Sequence, residues 1–213
     1  MALVAWALLS VDELKDHLQI AGTGNDASLE TVINETTDAI ERYLDRRIVY
    51  RGTPYVEYHG FQGWGGSELR PLEWPIISVT SVYEDTAWPR TYPAGTLLVV
   101  DTDYQIVKGR RDILRRLSGS SWDTWAVGIR PIKLTYTAGY ANTAAVPANL
   151  KLQAKRFAAL MWREIDRKVQ GVSSQSDATG NFQRFAAAKI TEDSAEALNS
   201  EKRVELYETG EAA

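Results

Sequence analysis

The 213-residue sequence contains no cysteine. Disulfides, thiolate metal ligands and thiol nucleophiles are therefore excluded, and the absence suits a reducing cytoplasm. Histidine is nearly as scarce, with only His17 and His59. No H-E-x-x-H, no histidine pair at i,i+4 and no His/Asp cluster occurs, so no metal centre is expected. His17 beside Asp16 and His59 at a glycine-rich turn read as surface or turn histidines rather than catalytic groups. The apolar start, M-A-L-V-A-W-A-L-L, is far too short to cross a bilayer. It lacks a basic n-region and runs straight into a helix cap, so it is expected to be a packing or docking segment rather than a signal peptide. An excess of positive charge is missing too. The 24 Lys and Arg are outnumbered by 28 Asp and Glu, for a net charge of −4, which argues against a dedicated nucleic-acid binder.

Catalytic motifs are equally scarce. Ser118-Gly119-Ser120-Ser121 lacks the G-x-S-x-G frame of a nucleophile elbow. Gly60, Gly63, Gly65 and Gly66 resemble a phosphate loop, but no Lys-Ser/Thr follows. The acid pairs Glu84-Asp85 and Asp101/Asp103 fall at turns, where carboxylates more often cap amides than do acid–base work. No enzyme activity, catalytic residue or cofactor is expected.

What is present is an ordinary globular balance, 44% hydrophobic and 24% charged. Ser10-Val11-Asp12-Glu13 is a capping box that opens a helix with Val11, Leu14 and Leu18 on one face. After the Gly22–Asp26 break, Leu29, Val32, Ile33, Thr36, Ile40, Tyr43 and Leu44 recur at helical spacing to near Arg46. From Val49 the texture changes to short alternating runs between Gly/Pro-rich turns. These predict strands over 55–58, 76–83, 97–100, 104–107, 113–117 and 132–137. Pro147 suits the first turn of a third helix to about Val169, with Leu150, Ala154, Phe157, Ala158, Met161 and Ile165 as its buried stripe. Gly171–Asn181 reads as a flexible linker. The stretch beyond is too polar to fold alone and is expected to order on a partner.

The expected fold class is α+β. N-terminal helices and a long C-terminal helix would pack with a small antiparallel β-domain, and an extended C-terminal tail would follow. The expected divisions are a helical segment (1–48), a β-domain (49–145), a closing helix (146–170) and a linker with a partner-binding tail (171–213).

Two residue groups stand out. Trp64, Trp88, Trp122 and Trp125 fall in loop-like segments. Loop aromatics bury large area at low entropy cost and mark interfaces; they also stack on sugars or bases, or fold back over a thin β-core. With Phe182, Phe185, Leu198 and Leu206 of the tail they are the expected partner-binding residues. The second group is basic: Lys108, Arg110, Arg111, Arg115 and Arg116. Alternation puts Arg111, Ile113 and Arg115 on one strand face and Asp112, Leu114 and Arg116 on the other. Such a patch would face DNA or, more in keeping with an acidic chain, meet solvent or a neighbouring subunit.

Four segments in order resemble phage head–tail connector (adaptor) proteins of long-tailed bacteriophages and gene transfer agents. They are L-L-S-V-D-E-L-K-D-H-L (8–18), L-E-T-V-I-N-E-T-T-D-A-I-E-R-Y-L-D-R-R (29–47), W-P-I-I-S-V-T-S-V-Y (74–83), and I-K-L-T-Y-T-A-G-Y (132–140) with V-P-A-N-L-K (146–151). The resemblance spans roughly residues 8 to 168. The loops 60–67 and 118–128 look enlarged and tryptophan-rich against the family, and nothing beyond Val169 matches it. The resemblance implies a virion neck protein, assembled in the host cytoplasm, that forms a ring, typically a dodecamer, under the portal protein. It would extend the DNA channel without sequence-specific binding, dock a stopper or tail-completion protein, and require no membrane. The tail from Phe182 would then be a portal clamp. Competing readings are a stopper or tail-completion protein, then a carbohydrate-binding module using Trp64, Trp122 or Trp125, with an enzyme last.

Overall fold

The computed structural model describes residues 2–63, 65–109, 112–166, 174–176, 182–184, 192–199 and 201–202. It is an α+β fold. The chain divides into two compact units, one formed by residues 1–46 and 142–213 and the other by residues 47–141.

The first unit is helical. Helix α1, Val11–Leu18, starts at the expected capping box, with both arms formed. The Glu13 amide donates to Ser10 Oγ (3.1 Å) and the Ser10 amide to Glu13 Oε2 (2.9 Å). The two bonds satisfy orphan donors at the helix start. Helix α2, Asp26–Leu44, follows Asn25, whose side chain makes no cap. Its stripe of Leu29, Val32, Ile33, Ile40 and Leu44 is fully buried. Each such side chain stabilises the fold by about 1.5–3 kcal/mol.

The apolar start packs as expected. Ala7, Leu8 and Leu9 are buried. The Leu8 amide donates to Thr37 Oγ1 (3.2 Å), whose hydroxyl in turn donates to Ile33 O (2.8 Å). Asn34 of α2 clamps the same segment, accepting from the Val4 amide (3.1 Å) and donating to Ala2 O (3.0 Å).

Helix α3, Ala148–Asp166, begins directly after Pro147. It buries Leu150, Ala154, Phe157 and Ala158, but Trp162 rather than Ile165 lies inward at its far end. The expected continuation to Val169 lies outside the described residues.

The described residues of the polar C-terminal region are more structured than its composition implies. Strand β8 (Ser174–Ser176), inside the expected linker, pairs antiparallel with β9 (Phe182–Arg184). A short helix α4, Glu192–Asn199, follows. Leu198 is buried, Tyr43 Oη donates to Asn199 Oδ1 (2.8 Å), and the buried Arg46 holds Glu201 by Nε to O (2.8 Å) and Nη2 to Oε2 (2.7 Å). One apolar anchor suffices because the adjoining polar groups find partners on α2 and at its end, which composition does not reveal.

The second unit is the β-domain. Strands β1 (Tyr55–His59), β3 (Ile76–Glu84) and β7 (Ile132–Ala138) form one antiparallel sheet in the order β1-β7-β3. Strands β2 (Glu68–Leu69), β5 (Ile113–Ser118) and β4 (Tyr104–Val107) form a second in the order β2-β5-β4, with β6 (Ser121–Trp122) paired to β5. In β7 the residues Ile132, Leu134, Tyr136 and Ala138 are buried while those between are half-buried, the period of two that a strand covered mainly on one face requires. They share one core with Leu69, Val82, Tyr104, Leu114 and Trp125.

One expected strand is absent. Residues 97–100 make only isolated bridges, Leu97 to Tyr83 and Val100 to Tyr104. The Val99 amide is taken by Asp103 Oδ2 (2.8 Å), and the Asp103 amide bonds back to Val99 O (2.8 Å). The side chain thus folds the backbone into a turn in place of a ladder.

Candidate interaction surfaces

Among the described residues no group of three or more His, Asp and Glu side chains could hold a metal ion. His59 bonds Glu57 Oε2 through Nε2 (2.8 Å), and Glu57 also receives the phenol of the buried Tyr136. That network is a structural tie under β1. Asp85 likewise serves the backbone, accepting from the amides of Ala87, Thr91 and Tyr92, each at 3.0 Å.

The basic run is neutralised within the chain wherever it is described. Lys108 pairs with Asp112 (3.2 Å) and donates to Ile76 O. The buried Asp112 also accepts from the amides of Ile76 (2.6 Å) and Gly109 (3.2 Å). Arg115 pairs with Glu68 and lies 4.9 Å over the Trp122 ring. Arg116 pairs with Glu84 (3.0 Å), donates to Leu117 O (2.7 Å) and approaches the Trp125 ring at 5.9 Å. Each charge already has a carboxylate, so the described part of the run does not form a free cationic stripe. Arg110 and Arg111 lie outside the described residues.

The tryptophans divide. Trp125 is a core residue, 1% exposed, with its indole N–H directed at Leu114 O (3.4 Å). That removes it from the expected partner-binding residues and fits the alternative of a tryptophan folded over the β-core: its amide donates to Gly66 O (2.9 Å) and its ring joins the buried cluster of the β-domain. Trp122 is 54% exposed but one face is occupied by Arg115. Trp88 is 77% exposed. Trp64 lies outside the described residues, as do Phe185 and Leu206. The backbone of Phe182 is in β9. Leu198 is buried on its own unit, which corrects its place among free partner-binding anchors.

Around Trp88, one of the expected partner-binding tryptophans, the structure assembles a surface whose other members sequence reasoning missed. Tyr58, Trp88, Pro89, Tyr92 and Ile129 line an open cleft of about 440 Å³ with Arg90 and Arg130. Ile129 is 76% exposed. The Tyr58 and Tyr92 rings lie 5.7 Å apart, and Lys133 sits 5.6 Å over Tyr92. Tyr92 Oη donates to Arg130 O (2.7 Å), tying the two loops that frame the cleft. The signal available in the sequence was one isolated apolar residue, Ile129, between Gly128 and Arg130.

Residues 9–62 match the Phage gp6-like head-tail connector protein family. The match covers α1, α2 and β1. Three solved structures share the fold along nearly the whole chain. A chain from "Neck of empty GTA particle computed with C6 symmetry" gives a TM-score of 0.54 at 19% identity over 96% of this chain and 94% of that one. A chain from "Virion of native gene transfer agent (GTA) particle" gives 0.54 at 20% identity over 96% and 93%. A chain from "Neck of native GTA particle computed with C12 symmetry" gives 0.52 at 19% identity over 96% and 93%. Comparison with curated proteins gave no match. The resemblance to head–tail connectors read from the sequence is borne out by the family match over residues 9–62; over the rest of the chain the solved structures show a shared fold.

Proposed function

We propose that this chain is a structural subunit of a head–tail connector in the neck of a virion or virion-like particle. Copies would form a ring beneath the portal, extend the DNA channel and present a docking surface to the stopper or tail. The observation that carries the reading is the family match over residues 9–62. The fold shared with gene transfer agent neck chains supports it. A ring of identical subunits needs two different faces per copy, and the exposed aromatic cleft on the β-domain is a candidate for one of them. The pairing of Lys108, Arg115 and Arg116 with carboxylates supports a channel wall that lets DNA pass, since free Lys/Arg–phosphate contacts would retard it. The role is assembly rather than catalysis. No helix among the described residues is long and apolar enough to cross a membrane.

The test is co-expression with the portal protein encoded in the same genome, read by particle mass and negative-stain imaging, with and without residues 171–213. A ring of this chain stacked on the portal supports the reading, and its loss on truncation, with the shortened chain still folded by circular dichroism, assigns a ring or portal contact to the residues removed. A ring that survives truncation keeps the reading and moves the grip to the helices or loops. No association with the portal under any assembly condition overturns it in favour of a stopper or tail-completion role.

A further inference from the structure

The cleft around Trp88 combines two features that rarely persist uncovered. Trp88 and Ile129 are each more than three-quarters exposed, and large exposed apolar side chains gathered in one patch mark a binding surface. Its rim is cationic. Arg90, Arg130 and Lys133 have no ion-pair partner among the described residues. Asp85, whose charge acts on Arg90, directs its oxygens at backbone amides. The Arg90 guanidinium donates to Ala87 O (2.6 Å), but its buried Nε has no acceptor. An occupant should therefore carry carboxylates and at least one sizeable apolar side chain.

The chain itself contains such a segment. Residues 203–213, R-V-E-L-Y-E-T-G-E-A-A, place Glu205, Glu208 and Glu211 against a single Arg203, interleaved with Val204, Leu206 and Tyr207. Fully extended, a segment of this length reaches up to about 36 Å. We propose that the Trp88 cleft takes residues 203–213 of an adjacent copy of this chain. The proposal rests on the ring reading above. Each copy then offers one tail and one cleft, the head-to-tail exchange that closes a ring of identical subunits. Opposite charge steers the tail to the rim, and the aromatic floor supplies the desolvated contact.

The absence of native cysteine makes the test direct. Full-length chains carrying Ile129→Cys or Tyr207→Cys, with different tags, are co-assembled with the portal protein and oxidised. The expected product is an Ile129→Cys to Tyr207→Cys disulfide between chains. It should exceed by about tenfold the yield of Tyr207→Cys with Leu152→Cys, an exposed position on α3, because docking raises effective concentration. Arg90→Glu with Arg130→Glu should abolish the excess, and Glu205→Arg with Glu208→Arg in the other chain should restore it. Equal yields at the two positions, in rings confirmed by mass, would overturn the contact and leave the ring reading intact. Closure within single chains of a doubly substituted variant, diluted below assembly, would show the tail serving its own cleft and overturn the exchange between copies. Absence of any ring would overturn both.

Discussion

Tyr136 and Glu57 share a short hydrogen bond across the β1–β7 pair, and the same phenol oxygen accepts the Glu73 amide at 3.0 Å. One buried hydroxyl thus joins a strand, its neighbour and the loop before β3. Burial, followed by the adjacent Glu57 charge, pushes the Tyr136 phenol well above the usual tyrosine range. Tyr136→Phe leaves the Glu73 amide without its acceptor. The expected loss is about 1.5–3 kcal/mol in urea unfolding. In the parent, Tyr136 should stay a neutral phenol at alkaline pH for as long as the protein remains folded. A variant as stable as the parent would show that the bond has no net worth.

Asp112→Ala should be comparably damaging. It strips acceptors from the Ile76 and Gly109 amides and the partner from Lys108. Lys108 is 57% exposed and can be rehydrated, so the hydrogen-bond scale applies rather than the 3–5 kcal/mol of a broken buried ion pair. About 1.5–3 kcal/mol is expected, read from the shift of the urea midpoint at constant slope. A change below about 0.5 kcal/mol would mean that water replaces the carboxylate at both amides.

Arg115 gives the opposite expectation. Its pair with Glu68 and its stack on Trp122 lie at the surface, so Arg115→Ala should reduce stability by less than about 1 kcal/mol. If the charge is spoken for within the chain, duplex DNA retention and its salt dependence should also be unchanged. A drop of about 0.9 in the slope of log affinity against log salt would instead identify a phosphate contact.

Acid sensitivity follows from three depressed carboxylates, Glu13 at the start of α1 and Asp85 and Glu68 in the β-domain. The Tyr92 amide, assisted by those of Ala87 and Thr91, holds Asp85 below its ordinary 3.8. Arg115 and then Arg70 hold Glu68 below 4.5. A lowered folded-state value contributes stability that is present above the unfolded value and lost as pH falls through the folded one. Urea midpoints should therefore hold from pH 7 to about 5 and decline below it. Asp85→Asn with Glu68→Gln should flatten that decline. An unchanged acid limb would place the responsible groups elsewhere.

Much of this protein was written locally. Ser10 and Glu13 lie three apart, so the cap of α1 is set by sequence neighbours. The stripe of α2 and the alternation of β7 follow from the period of each backbone. The match to the head–tail connector family, over residues 9–62, takes in α1 and α2 but not β7. Tertiary structure decided what depends on partners distant in sequence. Trp125 and Trp88 look alike in a loop-rich sequence, yet one ring fills the β-core and the other stands in solvent. The basic run looks free until Glu68, Glu84 and Asp112 are brought against it. Residues 97–100 alternate like a strand, but Asp103 captures the Val99 amide. The Trp88 cleft joins β1 to the loops at 85–92 and 127–131. No periodicity links those segments; only the folded sheet brings their side chains together.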